Sequence, residues 1–116
     1  MLTVTRRDDK TFTFYFYDEN DDVIDLTDCT LFTTVKQNKS DLDANAKILT
    51  TLTIEDPATL GKATWTLVPA DTLYLSGKYY WDVQLKSASG LITTVINDFF
   101  VVEVDVTVRT DNGSLS

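Results

Sequence analysis

Residues 11 to 17 read Thr11-Phe12-Thr13-Phe14-Tyr15-Phe16-Tyr17. Three phenylalanines fall on one side of an extended chain and Thr13, Tyr15 and Tyr17 on the other. A strand puts successive side chains on opposite faces, so an apolar period of two marks a half-buried strand. Thr30 to Lys36 repeats the pattern, with Leu31, Thr33 and Val35 against Phe32 and Thr34. So does Lys62 to Leu67, where Ala63, Trp65 and Leu67 share a side. In Lys78 to Leu85, Tyr79, Trp81, Val83 and Leu85 alternate with Tyr80, Asp82 and Gln84. Thr, Val and Ile together supply 35 of the 116 residues, and these side chains suit a pleated surface.

The segments between these runs complete the pattern. Asp18-Glu19-Asn20-Asp21-Asp22 is a cluster of turn formers, and Val23 to Leu26 resumes an extended course, which predicts a hairpin. Gln37 to Asn45 reads as a surface loop. Ala46 to Ile54 predicts one strand with Ile48, Thr50, Leu52 and Ile54 on a shared face, ended at Pro57. Pro69 to Leu73 is the only stretch suited to a helical turn. Ser87-Ala88-Ser89-Gly90 predicts a hairpin turn, and Leu91 to Val104 a long last strand with a bend or bulge near Asn97-Asp98. Asp105 to Val108 extends it, and residues 109–116 read as a polar tail or linker. Seven to eight short strands with turn signals between them are the pattern of an all-β sandwich or barrel, with one domain over residues 1–108.

Composition narrows function mainly by exclusion. With no histidine, the commonest general base, metal ligand and nucleophile partner are missing. Ten basic residues against eighteen acidic give a net charge of −8, the wrong sign for neutralising a phosphate backbone. The longest apolar run, Phe99-Phe100-Val101-Val102, falls far short of the ~20 residues of a membrane helix. Nucleic acid, membrane insertion and a small-molecule substrate are therefore not expected, nor is an enzyme.

Each candidate site has a plainer structural reading. Asp18, Asn20 and Asp22 have the spacing that opens a calcium loop, but Val23 and Cys29 stand where that loop needs glycine and glutamate. An ordinary turn is the expectation. Asp41, Asp43, Asp56 and Asp71 could in principle supply a carboxylate pair for glycoside hydrolysis, yet all lie in polar turns. Ser76 and Lys78 have no better claim as a nucleophile pair. Cys29, beside Asp28, lacks the electropositive setting of a reactive thiol and reads as a small buried filler. No catalytic, cofactor-binding or metal-ligating residue is therefore assigned. Tyr15, Tyr17 and Tyr80 lie opposite the expected core faces, where exposed tyrosine suits a protein contact. At the start of a late strand, Tyr79 or Tyr80 fits the tyrosine corner of immunoglobulin-like sandwiches.

Several pieces also occur in a distinctive order. Phe12-Thr13-Phe14 leads to Ile24-Asp25-Leu26-Thr27-Asp28-Cys29-Thr30 and Phe32-Thr33-Thr34-Val35-Lys36. Ile54-Glu55-Asp56-Pro57-Ala58, Gly61-Lys62-Ala63-Thr64-Trp65 and Pro69-Ala70-Asp71-Thr72 come next. Gly77-Lys78-Tyr79-Tyr80-Trp81-Asp82-Val83-Gln84-Leu85 and Asp98-Phe99-Phe100-Val101-Val102-Glu103 close the series. From about Phe12 to Val108 this resembles the immunoglobulin-like domains of tailed-bacteriophage virions, similar to the N-terminal domain of phage baseplate upper proteins. Cys29 departs from the pattern, which more usually has a small residue there. The resemblance implies a single immunoglobulin-like antiparallel β-sandwich over residues 1–108, and a structural protein of the tail, baseplate or neck, made in the host cytoplasm and placed in the virion. Its partners would be other virion structural proteins, in multiple copies or as a homo-oligomer, with Leu2–Thr5 and 104–108 as contact segments. Capsid decoration, or a carbohydrate or host-surface binding module, is the alternative.

Overall fold

In a computed structural model, residues 1–104 are described; Asp105 to Val108 and the tail 109–116 lie outside them. The described residues form eight strands. They are β1 (Leu2–Thr5), β2 (Lys10–Tyr15), β3 (Thr30–Lys36), β4 (Ile48–Thr51), β5 (Thr53–Ile54), β6 (Lys62–Leu67), β7 (Gly77–Lys86) and β8 (Ile92–Glu103). One helical turn, α1 (Pro69–Thr72), joins β6 to β7, and single 3-10 turns occur at Asp43–Asn45 and Ala58–Leu60.

One sheet has the order β1-β8-β7-β3-β4 and the other β2-β6-β5. All pairs are antiparallel except β1 with β8. This is the connectivity of an immunoglobulin-like sandwich. Alternation along each strand supplies the core: Leu31, Thr33 and Val35 from β3, Ala63, Trp65 and Leu67 from β6, and Tyr79, Trp81 and Val83 from β7 are all buried. Phe14, Trp81, Trp65 and Phe100 form a run of ring contacts across the gap, with centroids 5.5–6.0 Å apart.

The corner tyrosine is Tyr79. Its hydroxyl accepts the Ser76 backbone N–H at 3.1 Å, pinning the turn before β7. Tyr79→Phe removes that acceptor from a largely buried position. The expected loss is about 1 kcal/mol in urea denaturation, with an unchanged far-UV circular dichroism spectrum.

Three sequence expectations need correction. Ala46 to Ile54 is not one strand: β4 belongs to the five-stranded sheet and β5 to the three-stranded sheet, and the chain crosses at Leu52. Ile48 and Leu52 are buried on either side of the crossing, so the apolar alternation runs on although the backbone changes sheet. Thr50, of the same parity but on the edge strand β4, is exposed. Val23 to Leu26 forms no strand, only a bridge between Tyr17 and Val23. Leu26 N–H instead bonds Ala58 O at 3.0 Å, which turns the chain across the end of the sandwich. The bulge falls at Val95 rather than at Asn97-Asp98: Val83 faces Ile96 and Gln84 faces Thr94. Asn97 and Asp98 pair regularly with Asp82 and Trp81.

Candidate functional site

The acidic residues weighed as sites are occupied by turn chemistry. Asp18 Oδ1 accepts the backbone N–H groups of Asn20 at 2.8 Å and Asp22 at 3.0 Å, a side-chain turn that accounts for the spacing. Asp41 accepts from Asn38 N–H, Asp71 from Val68 N–H, and Asp43 pairs with Lys36 at 2.8 Å. Asp56 lies exposed before Pro57. Among the described residues no group of three or more His, Cys, Asp or Glu is placed to hold a metal ion, and no helix is long and apolar enough to cross a membrane. Ser76 gives its N–H to Tyr79, and the Lys78 ammonium lies 3.8 Å from the Phe99 ring centre. Cys29 is half-buried against the core, its thiol 3.6 Å from Thr27 O.

Charge is unevenly spread. From residue 18 to residue 28 there are six acids and no base, and the Leu26–Ala58 hydrogen bond brings Glu55 and Asp56 alongside. Within that end, Asp25 Oδ1 accepts both the hydroxyl and the N–H of Thr27, which holds the Asp25 carboxyl below its ordinary range. Midway along β8, Asp98 is lowered by its bond to the N-terminal ammonium at 2.6 Å and then by Phe99 N–H.

Of the two depressions described, one lies where β4 faces α1 across the opening between the sheets, and its only carboxylate, Asp71, is already engaged. The other is a groove of about 290 Å³ on the outer face of the five-stranded sheet. Register builds it. Thr34, Asp82 and Asn97 form one row across β3, β7 and β8. Lys36, Tyr80 and Phe99 form the next. Gln84 and Thr94 extend the floor, and Lys39 and Asp43 come from the loop after β3. The Lys39 ammonium lies 5.3 Å from the centre of the Tyr80 ring, and Tyr80 packs on Phe99 at 5.5 Å.

Asp82 stands out in this groove. Its side chain makes no hydrogen bond among the described residues. Burial pushes its carboxyl up from the ordinary range; Lys36 pulls it down, and Asp43 adds a smaller upward push. A carboxyl raised in the folded state binds protons more readily there than in the unfolded chain, so its penalty is complete at neutral pH. The penalty fades as pH falls through the raised folded value toward the ordinary value near 4. Asp82→Asn is therefore expected to stabilise the protein at pH 7 by about 0.5 kcal/mol, a figure reduced for partial exposure to water. Urea midpoints of variant and parent should converge below pH 4.

Tyr15 and Tyr17 are exposed as their strand parity predicts, whereas Tyr80 is half-buried in the groove. Asp82, Gln84 and Asn97 were not singled out by sequence. Their only signal was position on the outward parity of a strand, which many surface residues share. No protein-family model and no curated protein matches the chain.

Proposed function

We propose that the chain is a non-enzymatic docking domain of a tailed-bacteriophage virion, seated in tail, baseplate or neck against other virion proteins in multiple copies. The observation that carries this reading is the open edge of β2. Because β1 joins β8, β2 pairs only with β6 among the described residues. Beyond Lys10 at its start, its six residues are uncharged, contain no proline or glycine and carry Phe12, Phe14 and Tyr15. Edge strands left so regular are templates for a strand from another chain, and proteins that must avoid such pairing break or charge them. The ordered motif series supplies the virion context.

The test replaces Thr11 and Thr13, both exposed, with lysine. Charge on the edge blocks strand addition while changing stability by no more than about 0.5 kcal/mol. Mass spectrometry of purified virions should find the parent chain in fixed stoichiometry and the double variant depleted at least ~10-fold, the effect of losing 1.4 kcal/mol or more of contact. Virions without the parent chain, or with the variant at parental levels, would refute the reading.

A further inference from the structure

We infer that the groove on the outer face of the five-stranded sheet binds a neutral pyranose unit of a saccharide, with Asp82 and Asn97 on its hydroxyls and Tyr80 against its ring. This goes beyond the docking reading and does not depend on it.

The chemistry of the groove selects the ligand. Asp82 offers acceptor oxygens that nothing among the described residues uses, and Asn97 directly opposite offers an amide donor and acceptor. Gln84 and Thr34 adjoin the row. A carboxylate beside an amide can hold neighbouring hydroxyls, each of which both donates and accepts. The formal charges in the groove cancel: Lys36 and Lys39 against Asp43 and Asp82. This neutrality, in a chain of net charge −8, disfavours a discrete anion, which would meet two carboxylates. It equally disfavours a basic side chain, which would meet two ammonium groups. The Tyr80 ring packs on Phe99 and also carries the Lys39 ammonium, an exposed contact worth roughly 0.5–1 kcal/mol, which the C–H face of a sugar can displace. The volume, about 290 Å³, lies at the small end for ligand sites and fits a single ring of a longer chain.

The test uses the full chain on a printed array of neutral oligosaccharides of glucose, galactose, mannose and rhamnose, with uronic-acid and sialylated oligosaccharides alongside. Saturable binding to at least one neutral saccharide is expected. Asp82→Ala and Asn97→Ala should each weaken it at least ~10-fold, the cost of a lost charge-assisted or paired hydrogen bond. Tyr80→Ala should weaken it similarly, and Tyr15→Ser, on the other sheet, should leave it unchanged. Asn97 is exposed, so its variant keeps the test sound if Tyr80→Ala does not fold. No binding to any neutral saccharide by folded protein, binding to acidic saccharides alone, or binding undiminished in both Asp82→Ala and Asn97→Ala would overturn the proposal. Virion incorporation is read separately, so failure here leaves the docking reading standing.

Discussion

Trp81→Ala is expected to remove about 4 kcal/mol of stability, a large share of the ~5–15 kcal/mol that a domain normally holds. The ring is 3% exposed and has three kinds of partner. It stacks on Trp65 at 6.0 Å with an interplanar angle of 18°, and it meets Phe14 of β2 at 5.8 Å. Its Nε1–H donates to Thr33 Oγ1 at 2.7 Å. Truncation loses the transfer energy of a large apolar group, leaves a void that rigid strands close poorly, and strips the buried Thr33 hydroxyl of its donor. Thr33→Val separates these contributions. It keeps volume and leaves the indole N–H buried without an acceptor, for an expected loss of about 1–3 kcal/mol. Chemical denaturation followed by tryptophan fluorescence gives both values. A Trp81→Ala loss below that of Thr33→Val would show that the hydrogen bond, not the ring packing, dominates at this position.

The position of that ring also explains how the sandwich stands with one cysteine. In antibody domains the corner tyrosine precedes, by two residues, a cysteine that bridges the two sheets. Here the residue two after Tyr79 is Trp81, and it reaches across to Phe14 on the strand that would carry the other cysteine. An aromatic contact fills the place of a covalent bridge.

The strands were legible because burial on one face leaves a period of two, as in Thr11 to Tyr17 and Gly77 to Lys86. Hydrogen-bond partners are not written in that period. Ile48, Leu52 and Ile54 keep a common parity while the backbone leaves one sheet for the other, so the alternation looked continuous. The slip read at Asn97-Asp98 was a polar pair in regular register, and the true bulge at Val95 sits between Thr94 and Ile96, where two adjacent β-branched apolar residues hide the change of parity. The groove was illegible for a related reason. Asp82 and Asn97 become neighbours only through the β7–β8 register, and the one-residue offset at Val95 separates that row from the Gln84–Thr94 row beyond it. A reading without the register finds only Tyr80.

Gly61 tests how the chain closes the acidic end. Its φ is +63°, and a Cβ there would lie 2.6 Å from Val23 Cγ1, 2.8 Å from Ile24 O and 3.1 Å from Phe16 O. The valine methyl can rotate away, but the other two neighbours are backbone, and the three segments are tied together: Phe16 O accepts Ile24 N–H at 3.0 Å, and Gly61 O accepts Phe16 N–H at 2.8 Å. Gly61→Ala therefore adds crowding against backbone to the cost of a side chain in the left-handed region, about 1–2 kcal/mol for the latter and about 3 kcal/mol together. The melting temperature should fall by roughly 10 °C. Gly90→Ala is the control. Its φ is +90°, but nothing lies within 4 Å of the added atom, so only conformational strain remains and a loss near 1 kcal/mol is expected. Equal losses at the two positions would mean that the Phe16, Val23–Ile24 and Gly61 segments are not held at this separation. The close approach of Gly61 to the Tyr17–Val23 bridge would then be absent.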